Sequence, residues 1–430
     1  MKFSAFSNTL SKSVFALLIV VSNPLKAETE TQSLFAWTPV LANAIQTSTI
    51  SPCLASRNLA IIYTSAFESA NARQPRYQSY LSDIPKLEGE IDSSYASLSA
   101  IAFAAKTLFP SQRAHFQELQ VQQEVTIGAK LVPETRIRSK KFGEEIAKQM
   151  ISIREDDGST TPQTYFPKNE IGKWKRTPPN FRPPELSYWS GTRPFVIDSA
   201  SQFRLPPPPS LDSKEYAKAY NEVKEIGAID SKTRTADQTE IAKFWSCFSY
   251  TSTPAGHWFE IATKVAGKEQ LDFLDTTRLL ALINLSMADA GIACWDTKYT
   301  YESWRPIQAI RLADKDENPE TKPDPKWDSL LEAPPHPEYT SGHGAFSGAG
   351  GRIMELLFEK ESPYPFSTTS SGLPGVVRSF SSFSECTDEI CDSRLFGGIH
   401  FQYSNLLGRD LGTQIADYVF ERTLLPLEDN

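Results

Sequence analysis

"EQLDFLDTTRLLALINLSMADAGIACW", Glu269–Trp295, is the stretch on which the fold class turns. It is long, mostly apolar and free of the period-two alternation of a half-buried strand. A helix that is apolar on most of its sides belongs inside a protein. Upstream, "NLAIIYTSAFESANA" (58–72), "SYASLSAIAFAAKTLF" (94–109) and "GEEIAKQMISIRE" (143–155) repeat apolar residues at three- and four-residue spacing. "SKEYAKAYNEVKEIGA" (213–228) does the same, with Ser213 placed to cap it. Few segments alternate, so the expectation is an all-α chain with no clear second domain.

Between these runs, Asp156–Pro209 is rich in proline and aromatics. Trp174, Phe181, Tyr188 and Trp189 lie within it. That composition predicts an ordered, extended wrap over the helices, not a loose linker.

The start of the chain reads differently. Lys2 and Lys12 precede the short apolar run Val14–Val21, and "LKA" ends at Ala27. This is the pattern of a secretory signal peptide over residues 1–27, too short to span about 30 Å of hydrocarbon. The expectation is an exported, soluble chain with one α-helical domain over 28–430. Its chemistry-bearing core covers roughly 240–425. Acidic side chains outnumber basic ones, 52 to 44, and no basic block dominates, which argues against nucleic acid as the partner. A small anion needs only a few cations.

Five cysteines in an exported chain allow disulfides but leave one over. Cys386 and Cys391, in "ECTDEIC", are close enough in sequence to suggest a local bridge. Scattered cysteines and only five histidines do not suit a Cys/His zinc site.

Three clusters carry charge or imidazole. In "WDTKYTYESWRP" (295–306), Lys298 and Arg305 are seven apart. On a continuous helix they would share a face within about 20°, roughly 10 Å apart along the axis. Asp296 and Glu302 are the ordinary partners for such cations. In "EYTSGHGAF" (338–346), Thr340 or Ser341 can cap a helix starting near Gly344, whose free N–H groups favour an anion. Gly342 lets backbone approach a ligand, and Gly344, Gly348, Gly350 and Gly351 suit close approach to a neighbouring helix. In "SRLFGGIHFQYSNLLGRDLG" (393–412), Arg394 and His400 flank Gly-Gly.

Together the clusters supply three cations, a helix N-terminus and two imidazoles. That set suits a tetrahedral oxyanion such as phosphate or vanadate: cations neutralise its oxygens, one imidazole meets the central atom and the other handles protons.

In this order the motifs resemble the superfamily joining type 2 phosphatidic acid phosphatases with vanadium-dependent haloperoxidases. "KYTYESWRP", "TSGH" (with Thr340 where proline is usual) and "SRLFGGIH" match its three motifs. "QTEIAKFW", "TPAGHW" and "SMADAGIACWD" resemble its soluble bacterial haloperoxidase branch. The resemblance covers roughly Trp189 to the C-terminus and implies a helical bundle with vanadate as cofactor. It also implies roles. Lys298, Arg305, Ser341, Gly342 and Arg394 would hold the oxygens, and His400 would bond vanadium. His343 would be the acid–base group, with Lys298 polarising peroxide. Trp295 and His336 would line the halide side. A histidine at 336 tilts the expectation toward bromide or iodide. One departure stands out. Many members place Asp four residues after the third-motif histidine, where this chain has Ser404. Without that carboxylate His400 would be a less basic ligand, unless Asn405 or a main-chain carbonyl orients it.

Three functions follow from the same residues. One is oxidation of halide by hydrogen peroxide, with a small organic acceptor taking the halogen. The second is phosphomonoester hydrolysis through a phosphohistidine on His400. The third is a non-catalytic exported binding protein, in which no oxyanion site is assembled.

Overall fold

A computed structural model describes residues 29–161 and 164–428. The expected signal peptide lies outside the described residues. In the first half come α1 (Glu30–Phe35), α2 (Trp37–Ser48), α3 (Pro52–Asn71), α4 (Ser93–Leu108), α5 (Arg113–Thr126) and α6 (Pro133–Ser152). The second half holds α7 (Lys214–Ile226), α8 (Ala236–Phe244), α9 (Thr253–Lys268), α10 (Phe273–Tyr301), α11 (Pro306–Arg311), α12 (Gly342–Phe358), α13 (Phe383–Phe396) and α14 (Gln402–Arg422). Among the described residues, strand is confined to one hairpin, Phe366–Thr369 against Val377–Phe380, paired antiparallel with Phe366 opposite Phe380. The fold is all-α, as the periodicity predicts.

The deciding stretch is the central helix. It begins at Phe273, where the Asp272 carboxylate accepts the Asp275 N–H, and runs on to Tyr301. Every residue from Thr276 to Lys298 is buried. Its length and hydropathy would suffice to cross a membrane, but its apolar stretch is wholly covered by protein. One hydrophobic cluster reaches from Leu34 to Leu424 around it.

The Pro-rich segment is ordered, with Trp174 and Trp189 buried and Phe181 left outside. Asp289, fully buried on α10, ties it down. Its carboxylate accepts the N–H groups of Phe195, Val196 and Ile197 at 2.6, 2.7 and 2.9 Å. Burial still pushes this carboxyl up to about 6.

The glycines of α12 meet the expectation of close packing. A Cβ at Gly344 would lie 2.6 Å from the Asn405 carbonyl oxygen, and one at Gly348 would lie 2.1 Å from that of Arg409. Gly412 on α14 returns the contact, with a Cβ there falling 2.1 Å from the Ala345 oxygen. The two backbones therefore touch, which places the start of α12 beside the start of α14. Gly350 and Gly351 face Trp258 and Thr387 instead.

All five cysteines are free and buried, so the expected Cys386–Cys391 bridge does not form. Both sit on α13, where residues five apart point about 140° away from each other around the axis.

Candidate active site

Lys298 and Arg305 do not share a helix, contrary to the spacing argument. α10 ends at Tyr301, and Glu302 takes a left-handed conformation (φ 55°). Arg305 then precedes Pro306, whose ring forces an extended backbone on the residue before it. The two cations converge through a turn. Nor do the nearby acids pair with them. Asp296 takes the guanidinium of Arg204 at 2.6 and 2.8 Å, and Glu302 takes Lys168 at 2.5 Å.

Lys298 is fully buried in the last turn of α10 and donates to the carbonyls of Pro337 and Glu338 at 2.9 and 3.0 Å. Arg305, also fully buried, donates to the carbonyls of His336 and Ile399 and to two imidazoles, His336 Nδ1 and His400 Nε2, each at 3.0 Å. An arginine can only donate, so His400 Nε2 is an acceptor, while His336 Nδ1 also lies 3.2 Å from the Pro337 carbonyl.

Ser341 is the N-cap of α12, its hydroxyl accepting the Gly344 N–H at 3.3 Å. The helix therefore starts at Gly342, two residues earlier than the sequence suggests. Thr340, standing where the family has proline, ties this corner to α14 through its hydroxyl on the Ser404 carbonyl at 2.7 Å. The Nε2 of His343 is buried, with no hydrogen-bond partner among the described residues.

Arg394 ends α13 with its side chain fully buried. It donates to the Trp245 carbonyl at 2.7 Å, and its Nε has no partner among the described residues. Trp245 in turn stacks on His257, ring centroids 4.6 Å apart, so that histidine supports the wall of the site. Gly398 (φ 74°) makes the turn that delivers His400; a Cβ there would lie 2.3 Å from the Gly227 oxygen.

The residue that sequence reasoning missed is Glu338. Its Oε1 lies 2.7 Å from His400 Nδ1 and also accepts the Phe401 N–H at 3.2 Å. The carboxylate expected at position 404 thus comes from five residues before His343. Neither Asn405 nor a main-chain carbonyl orients the ring, and the expected loss of ligand basicity does not follow. A signal was present: the "E" of "EYTSGH" is the acid next to the second motif. With Nδ1–H donating to Glu338 and Nε2 accepting from Arg305, the His400 tautomer is set from both sides.

Burial dominates the electrostatics. It pulls Lys298 down to about 7 and lowers Arg305 and Arg394 as well. It pushes Glu338 up to about 7, against the pull of Arg305 and Lys298. His336, His343 and His400 are driven well below the usual imidazole range, first by burial and then by the surrounding cations, and are neutral. Three basic side chains face one carboxylate. Burying unbalanced charge is expensive, so the arrangement calls for an anion.

A cavity of about 510 Å³ opens in front of these groups. His343, Arg394, His400, Gly342, Trp295 and His336 line its floor. Trp295 lies 5.0 Å from the His336 ring, and Lys298 Nζ sits 5.8 Å from the Trp295 ring. The Pro-rich stretch after Leu312 supplies part of the rim through Leu330, Leu331, Glu332, Pro334 and Pro335.

The site also fits a tetrahedral oxyanion by the chemistry of its donors: guanidinium, ammonium, the N-terminal N–H groups of α12 and one neutral imidazole, His400, whose Nε2 lone pair accepts from Arg305. Among the described residues no group of three or more His, Cys, Asp or Glu forms a cage for a cation.

Comparison with known proteins points the same way. Residues 278–428 match the family described as the VCPO second helical-bundle domain. The vanadium chloroperoxidase of Curvularia inaequalis is 24% identical over 351 residues, 63% of this chain and 57% of that protein. This chain therefore spans a little over half of that relative's length. The structure described as the first bacterial vanadium-dependent iodoperoxidase superposes with a TM-score of 0.81 at 28% identity, covering 93% of this chain and 97% of that one. A holo-type bacterial vanadium-dependent chloroperoxidase shares the fold at TM-score 0.68 and 18% identity, covering 86% and 92% of the two chains.

Proposed function

The chain belongs with the vanadium-dependent haloperoxidases in fold and in its motif-bearing half, and from that premise we propose that it oxidises bromide or iodide with hydrogen peroxide to hypohalous acid. The observation that carries the reading is the cage around His400: three buried cations, an imidazole whose Nε2 accepts from one of them, Arg305, and one carboxylate fixing that imidazole.

Vanadate, when bound, supplies a Lewis-acidic centre that activates peroxide toward halide. The protein supplies the rest. Arg305, Arg394 and the N-terminus of α12 with Ser341 and Gly342 neutralise the oxygens. His400, whose Nε2 accepts from Arg305 here, would be the ligand to the metal, kept in its tautomer by Glu338. His343, neutral and with its Nε2 unpartnered, takes a proton from hydrogen peroxide and returns it to the departing oxygen. Lys298, held by two carbonyls, stands ready to polarise peroxide. Trp295 and His336 form the halide side of the cavity, and the imidazole there favours bromide or iodide. A small organic molecule accepts the halogen. Residues 1–27 direct export in this reading, and the three motifs support membership of the wider type 2 phosphatidic acid phosphatase superfamily.

The neutral His400 among the same cations also favours a second reading, phosphomonoester hydrolysis through a phosphohistidine with His343 protonating the leaving alcohol. One experiment separates them. Purified protein, with and without added vanadate, is given peroxide with bromide or iodide, and in parallel a nitrophenyl phosphate. Vanadate-dependent halide oxidation supports the first reading. Phosphate release without halide oxidation supports the second. Silence in both assays, with no vanadate bound, leaves a non-catalytic binding protein.

A further inference from the structure

Halide, peroxide and vanadate are each a few atoms, but the cavity in front of His343 and His400 holds about 510 Å³. Cavities of that size with apolar walls and a few placed polar groups accommodate organic ligands. The outer walls are of this kind: Pro52, Phe248, Pro254, Leu330, Pro334 and Pro335.

Two carboxyl groups line the cavity. Glu332 pairs with Arg182 at 3.3 Å at the mouth. Glu185 is different. Its backbone is clamped by three hydrogen bonds: its N–H donates to the Pro335 carbonyl at 2.8 Å, and its carbonyl accepts Trp295 Nε1 at 3.4 Å and the Tyr299 hydroxyl at 2.8 Å. The residue lines the cavity, and its carboxyl has no hydrogen bond or ion pair among the described residues. Burial raises its pKa, offset in part by Arg182. A largely enclosed carboxyl with no protein partner is a poor device for stability and a good one for accepting a proton.

We propose that the cavity binds an electron-rich aromatic acceptor of the phenol class, and that Glu185 takes the ring proton displaced when halogen is transferred inside the cavity. The proposal rests on the haloperoxidase reading. The step balances as Ar–H plus HOX giving Ar–X plus water. The ring carbon bonds to halogen as the O–X bond breaks, leaving its electron pair on oxygen. The C–H pair returns to the ring, its proton passes to the Glu185 carboxylate, and the hydroxide released is protonated to water.

The test uses the full, vanadate-loaded protein with iodide, peroxide and unsubstituted phenol. The ratio of ortho- to para-iodophenol is measured for wild type, for Glu185→Gln and for hypoiodous acid added without protein. A ratio is independent of overall rate, so slower turnover of the variant does not blur it. The wild-type ratio is expected to differ by about threefold or more from that of the free reagent, with Glu185→Gln falling back toward the reagent's value. Identical ratios for wild type and free reagent would overturn halogen transfer in the cavity. A shifted ratio that Glu185→Gln leaves untouched would overturn the role of Glu185. If iodide and peroxide without phenol yield no triiodide, it is the haloperoxidase reading that has failed.

Discussion

The Nδ1 of His400 lies 2.7 Å from Oε1 of Glu338, sixty-two residues earlier in the chain, and both side chains are buried. A carboxylate behind an imidazole ligand fixes its tautomer and raises its basicity, and losing such a partner costs about 10–100-fold in metal affinity. Glu338→Gln is expected to weaken vanadate binding by that factor in calorimetry. Adding Ser404→Asp, which offers a carboxylate on the neighbouring turn, should recover part of it. Unchanged affinity in the single variant would show that the contact is only packing.

His400→Ala removes the ligand itself, and calorimetry should show no vanadate binding while the fold persists. Affinity equal to wild type would remove His400 from the metal site.

His343→Ala should leave vanadate binding in place and lower halide oxidation by about 10²–10⁴-fold, the usual contribution of one general acid–base group. The side chain borders the cavity, so its melting temperature should move by less than about 4 °C. Steady-state rates near wild type would assign proton transfer to another group.

Lys298 supplies a pH prediction. Burial lowers it to about 7, so its ammonium is present below that pH and is lost above it in the empty site. Sulfate, a tetrahedral anion that does not titrate near neutrality, prefers the ammonium. Its affinity should therefore fall as pH rises above 7, by about tenfold per unit for one linked proton. Binding at pH 8 should take up protons, measurable by calorimetry in buffers of different ionisation enthalpy. Glu338, raised to about 7, acts in the same direction because its ionised form repels sulfate. Lys298→Met should reduce the uptake. Proton release at pH 8 would contradict the assignment.

Gly348→Ala tests the helix contact that brings two motifs together. A Cβ there would lie 2.1 Å from the Arg409 carbonyl oxygen. Backbone must move to admit it, at a cost of about 3 kcal/mol, the upper end for overpacking. Denaturant unfolding should show that loss, and an unchanged midpoint would mean the two helices are not in contact.

Much of this architecture was legible along the chain because it depends on local chemistry. Periodic apolar residues predicted α3, α4, α6, α7 and α10, and Ser213 caps α7 by accepting the Tyr216 N–H as expected. The glycines after His343 announced a tight helix contact, since only a missing Cβ allows backbone that close. The motif residues were likewise named from order and type. The errors came where local reading assumed continuity. The seven-residue spacing of Lys298 and Arg305 puts them on one face only if the helix is continuous, which Glu302 and Pro306 prevent, and the local bridge that the closeness of Cys386 and Cys391 suggests is blocked by the helix that holds them apart.

What the sequence determined by itself was composition-level chemistry: a buried central helix, helix starts and stops, and three motifs whose cations and imidazoles suit an oxyanion. Only the tertiary structure decided which carboxylate serves His400, which cations Asp296 and Glu302 neutralise, and that Glu185 lines a cavity with no side-chain partner among the described residues. Those are pairings between residues far apart in the chain. No periodicity encodes them, because they depend on where packed helices bring side chains to within about 3 Å of one another.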